Sequence, residues 1–204
     1  MSRYSEMMKQ AFKDYQKAIK TAAQAVDYAR ENYGNEGAEW EEKRQEEKVK
    51  QARTRAENTI NSAYAEGREY TERWATIDGS RLTDDLKLFD AGMVTPDVFE
   101  QLKARYKDNA TMSAALKAHG EKLNAKAAED AAAGGGLVMA EPYNVRDIVT
   151  GEIAIERMDK MQKRAIDILD MIDHSGKYSD SWNAAMGDAL GEQYIENFSE
   201  TPFM

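Results

Sequence analysis

Asp167, Asp170, Asp173 and His174 form the grouping in this 204-residue chain that comes nearest to a chemical site. Spacing of three along a helix puts the carboxylates roughly along one side, where oxygen ligands could hold a hard cation such as magnesium. A calcium loop needs its ligands on a glycine-centred turn, and this stretch has none. Apolar residues already claim the inward face here, so the reading is three aspartates turned to water, available to a protein partner. His119 and His174 lie far apart in sequence, and neither has a nearby nucleophile that would make a triad. Gly134 to Gly136 lack the lysine and hydroxyl residue of a phosphate loop, and no strand precedes them, so they read as flexible chain. Without cysteine, disulfides, thiolate metal sites and thiol nucleophiles are excluded. No cofactor and no catalytic residue is expected.

What positions these residues is helix. Met8, Phe12, Tyr15, Ile19, Ala22, Val26, Ala29 and Tyr33 recur alternately four and three residues apart, the seam of a coiled-coil-like helix. Ala11, Ala18 and Ala25 recur at sevens beside it and leave room for a neighbouring backbone. Gly34, free to adopt positive φ, ends the first helix, and Gly34 to Gly37 make the turn. A second seam runs Ala56, Ile60, Ala63, Gly67, Tyr70, Trp74, Ile77, within a helix from about Ala38 to Ile77. Its first turns, Glu41 to Lys48, are almost wholly charged and read as a solvated face. Trp40, Glu41 and Glu42 there are candidate partner-binding residues, as are Asp167, Asp170 and Asp173.

The remaining chain reads as shorter helices. Thr83 to Ala91 closes on Gly92, Thr95 caps a helix with Pro96 at its first position, and Thr111 caps a third reaching the alanines near Ala133. Leu86, Phe89, Val98, Leu102, Tyr106, Met112, Leu116 and Leu123 are the expected core. After the glycines, Ile153 to Ile172 is amphipathic, His174 to Ser179 is a loop, and Ser181 caps a final helix carrying Trp182, Met186, Leu190, Ile195 and Phe198. The expected fold is all-α: a long N-terminal antiparallel helical hairpin over 1–78, a short three-helix module over 79–133, a glycine-rich linker over 134–143, and an acidic C-terminal helical pair over 144–204.

Leu, Ile, Val and Phe number 31 of 204, about 15%, below the roughly 20% at which disorder becomes an issue. The periodicity argues for a thin core of close helix contacts instead. The net charge of −9 gathers in the last third, where residues 134–204 carry 6 basic and 13 acidic side chains. No basic stripe stands clear of carboxylates, so direct nucleic-acid binding is not expected. Nor is there an apolar span of membrane length or a signal-like core in the charged first twenty residues, which predicts a soluble, intracellularly made protein.

The stretch Asp84, Asp85, Leu86, Lys87, Leu88, Phe89, Asp90, Ala91, Gly92, then Thr95, Pro96, then Arg105 to Met112, resembles a helical segment in proteins of bacteriophages and prophages of Gram-positive bacteria. It covers about 40 of the 204 residues. The resemblance implies a phage context and no reaction. With the hairpin, it implies a non-enzymatic structural or assembly protein, scaffold-like or internal to the virion. Its partners would be itself and coat or portal protein, with no membrane, in the host cytoplasm during assembly or in the virion. The alternative is an acidic phage-encoded inhibitor of a host nucleic-acid-binding defence protein, anti-CRISPR-like, whose carboxylates occupy a basic groove.

Overall fold

The computed structural model describes residues 3–134 and 141–176, and these contain helices and no strand. The all-α expectation and the long N-terminal helical element both hold. The helices are α1 (Arg3–Ala75), α2 (Lys87–Asp90), α3 (Pro96–Arg105), α4 (Ala110–Ala133) and α5 (Gly151–Gly176), with short 3-10 turns at Gly79–Arg81 and Asp84–Leu86. Their contacts divide the described chain into two units, residues 3–68 with 157–176, and residues 69–156.

In the first unit, α1 is broken at Gly34, where φ is 71° and ψ −163°. Only glycine adopts this backbone without strain, because a Cβ meets the flanking carbonyls. The break turns α1 into two antiparallel arms. Arg3 reaches Glu66 at 3.8 Å, and Tyr4 lies against Gly67. At the other end Ala29, Tyr33 and Gly37 converge. The sequence reading puts Gly37 in the turn, but it is helical; a Cβ there would lie 2.5 Å from that of Tyr33.

From Met158 to Ile172, α5 fills the groove between the arms. Met8, Phe12 and Tyr15 from the first arm, Ala56, Ile60 and Ala63 from the second, and Met158, Met161, Ala165, Ile168, Leu169 and Ile172 from α5 form one buried cluster. Burying each of the larger side chains contributes about 1.5–3 kcal/mol. Gly67 lets three helices meet, since a Cβ there would come 2.6 Å from Met158 Cε and 3.1 Å from the Tyr4 ring. The apolar face read for α5 is the buried one. Its first described partners are the hairpin arms, whereas the sequence grouped it with the C-terminal acidic helices.

Two features of the second seam differ from expectation. Tyr70 and Ile77 are exposed, Trp74 is half-buried, and the buried position passes to Thr71. A straight helix turns 3.6 residues per turn, so a strict four-three pattern drifts off the contact line. In the other direction the seam continues through the charged run: Ala38, Glu41 and Gln45 are buried, and Val49 and Ala52 are half-buried against the core. The run from Glu41 to Lys48 is thus solvated on one side only. Glu41 and Gln45 tolerate burial because the Gln45 amide donates to the Glu41 carboxylate at 2.5 Å.

In the second unit, Val94, Phe99, Leu102, Leu116, Val145 and Ile148 are the buried cluster, with Leu88, Phe89, Val98, Tyr106, Leu123 and Tyr143 packed on it. Thr95 caps α3 by accepting from the Val98 N–H, with Pro96 at the first position, and Gly92 has φ 67°, as read from sequence. The cap of α4 is Asn109, whose side chain accepts from the Met112 N–H; Thr111 instead accepts from the Asp78 N–H. Residues 141–148, in part assigned to a linker, join this unit. Asn124 holds the Tyr143 backbone through two hydrogen bonds, of 2.8 and 3.0 Å, and the Tyr143 hydroxyl donates to the Val94 carbonyl at 2.9 Å. Gly120 makes space for this: a Cβ there would come 2.5 Å from Val145 and 2.7 Å from Phe99. Residues 174–176 are helical, and the final helix expected from Ser181 lies outside the described residues, as do Gly135 and Gly136.

Candidate interaction site at the hairpin turn

Six residues stood out in the sequence as possible partner contacts, and the structure separates them into two groups. Asp170 and Asp173 are engaged within the chain. Arg53, on the second arm of α1, donates from Nη2 to Asp170 at 2.7 Å and from Nε to Glu57 at 2.9 Å, and pairs with Asp173. The Tyr15 hydroxyl also donates to Asp173. Arg53 is only 18% exposed. Burial works against its charge, and the bonds to Asp170 and Glu57 outweigh that, so its pKa rises. Burial likewise raises the Tyr15 pKa, against the pull of Arg53. These two aspartates tie α5 to the hairpin, Asp170 with 53% of its side chain still in solvent; Asp167, one turn earlier, is exposed. Among the described residues no group of three or more His, Asp or Glu is placed to hold a metal ion. His119 stacks on Phe89, ring centroids 4.6 Å apart, within the second unit's core.

Trp40 and Glu41 belong to a different setting. Near the turn, the arms are separated by small residues, Ala25, Ala29 and Gly37, because a helix pair with no third helix between can close only on small side chains. Larger neighbours stand around them. Tyr28, Tyr33, Trp40, Glu41 and Arg44 complete the lining of a groove of about 480 Å³. The three aromatic residues are 62%, 71% and 65% exposed. The Arg44 guanidinium lies over the Trp40 ring, 5.6 Å from its centroid, and 3.3 Å from the Glu41 carboxylate. The Gln45 amide, then the Arg44 bond, hold the Glu41 carboxyl below its ordinary pKa, so it is ionised at neutral pH. Glu42 is exposed and outside the lining.

Tyr28, Tyr33 and Arg44 were missed in sequence. The spacing puts Tyr33 on the seam, but it sits beside the break at Gly34 and stands in water. The legible signal was three large aromatics within thirteen residues around one helix-breaking glycine. Comparison with protein-family models, curated proteins and solved structures yields no match to this chain.

Proposed function

We propose that the protein is a non-enzymatic bacteriophage assembly protein, scaffold-like or internal to the virion, that acts through self-association and contacts with coat or portal protein. The phage context comes from the resemblance of the stretch between Asp84 and Met112. The observation that carries the interaction role is the aromatic groove at the hairpin turn. Large exposed aromatics grouped in one concavity are typical anchors of protein interfaces, since they bury much area at little cost in side-chain entropy. The base of the same hairpin is closed by α5 and clamped through Arg53, so the turn is held on a built scaffold. No described helix is long and apolar enough to cross a membrane. The acidic-inhibitor alternative loses ground because Asp170 and Asp173 are taken up by Arg53.

Sedimentation velocity over a roughly hundredfold concentration range, at low and high salt, tests self-association. Cross-linking in infected cells tests the coat and portal contacts. Concentration-dependent, salt-resistant assembly with such cross-links supports the reading. A monomer throughout, with neither cross-link, overturns it.

A further inference from the structure

We infer that the groove at the hairpin turn receives a basic, apolar-anchored segment of a protein partner, and that Arg44 holds the place of the partner's cation until it arrives. This rests on the reading that the turn makes the chain's contacts, and it names the chemistry of what binds there.

The apolar half of the argument is the lining. Ala25, Ala29 and Gly37 form the floor, and Tyr28, Tyr33 and Trp40 are large side chains left mostly in water around it. Covering them with an aliphatic or aromatic side chain of a partner removes that apolar surface from water, which favours binding. The other half is charge. Over the span of the groove, residues 25 to 44, stand six carboxylates, Asp27, Glu31, Glu36, Glu39, Glu41 and Glu42, against three cations, Arg30, Lys43 and Arg44, of which Arg30 pairs with Asp27 and Arg44 with Glu41. All six but Glu41 are exposed. An apolar groove on a turn with this excess of carboxylates selects a partner whose anchor is flanked by lysine or arginine, and draws it in at a rate that salt reduces.

The same field disfavours the other occupants. Two copies meeting turn to turn would oppose two net acidic segments, and an anionic membrane surface or a nucleic acid would be repelled in the same way.

Arg44 gives the site its particular geometry. The face of an indole ring and a carboxylate beside it are the two features that attract a cation, and Arg44 uses both, over Trp40 and against Glu41. It does so with 55% of its side chain in solvent, so an incoming guanidinium or ammonium can exchange with it without opening any core. The carboxylate it would leave is still held by Gln45 at 2.5 Å and remains in position for the partner's cation.

The test uses the full chain and a fluorescently labelled synthetic peptide of lysines and leucines with helical amphipathic spacing, read by anisotropy. The control peptide has glutamate in place of lysine. The lysine peptide is expected to bind and the glutamate peptide not, with affinity falling several-fold between low and physiological salt. Trp40→Ala should weaken binding about tenfold or more. Tyr28→Ala should weaken it too, a second probe of the same wall. Arg44→Gln should tighten binding a few-fold, because the competing cation is gone; a generic surface attraction would give only a small, salt-screened change, without dependence on Trp40. Equal binding to Trp40→Ala and wild type overturns the inference, as does no binding at millimolar peptide or weaker binding by Arg44→Gln. Self-association or vesicle binding that disappears with Trp40→Ala also overturns it, by assigning the groove to a second copy or to lipid. Loss of self-association in the wild type would remove the assembly reading and leave the peptide result standing.

Discussion

The two ends of the hairpin use one helical seam in opposite ways. Toward Arg3 and Glu66 the seam carries Met8, Phe12, Tyr15, Ile60 and Gly67, and the arms stand far enough apart to take in α5. Toward Gly34 it carries Ala22, Ala29, Ala38, Glu41 and Gln45, the arms close on small residues, and the large aromatics stand outside. Large side chains on a two-helix seam must be covered by something further, and small ones need nothing. The first end is therefore where the chain stores stability, and the second is where it can spend aromatic surface on a partner.

The comparison breaks most directly through the core. Ile60→Ala should lower stability by about 2–5 kcal/mol in urea titration, since Ile60 has no exposed surface and lies in the cluster of all three helices. A loss under about 1 kcal/mol would mean that α5 does not pack tightly on the arms.

Gly34→Ala should cost about 1–3 kcal/mol by thermal or urea unfolding. Apart from its own chain neighbours nothing lies within 4 Å of the added Cβ, so the whole effect is local backbone strain at φ 71°. No loss at all would show that the turn can be made with ordinary helical backbone.

Asp159 sharpens the contrast through pH. It accepts from the Tyr64 hydroxyl at 2.7 Å and pairs with Arg68, and these, Tyr64 first, lower its pKa. A carboxyl whose folded pKa lies below its unfolded one adds stability above the unfolded value, about 3.9, and loses it as pH falls through the folded one. With nearly half its side chain in water the contribution is under about 1 kcal/mol. Asp159→Asn should therefore flatten the stability profile below about pH 4 and do so at the α5 end only. An unchanged acid limb would mean that Tyr64 and Arg68 add nothing to stability through Asp159.

The smallest effect belongs to the groove. Trp40→Ala should change stability by no more than about 0.5 kcal/mol. A loss like that of Ile60→Ala would turn Trp40 into a core residue and end the distinction between the two ends.

Much of the local structure was legible. The four-three spacing, the positive-φ glycines at 34 and 92, the Thr95–Pro96 start and the apolar face of α5 are all signals carried by residues within a turn or two of each other. The polar continuation of the second seam was not. Glu41 and Gln45 occupy buried positions that a search for apolar residues passes over, and only their mutual hydrogen bond explains them. The candidate site is half legible: Trp40 and Glu41 stand out in the sequence, whereas the four-three spacing puts Tyr33 on the seam.

The sequence alone determined that this chain is helical, where α1 breaks, and which faces of α1 and α5 are apolar, because helical periodicity and backbone freedom are properties of neighbouring residues. Only the tertiary structure decided that α5 returns over more than a hundred residues to fill the hairpin, and that Arg53 draws Asp170 and Asp173 into one ion-pair group. It also decided that Gly120 admits Val145 and Phe99, and that Tyr28, Tyr33 and Trp40 share one groove. An apolar face states that it must be covered and does not state by what; that choice is made by shape and charge between residues remote in the chain.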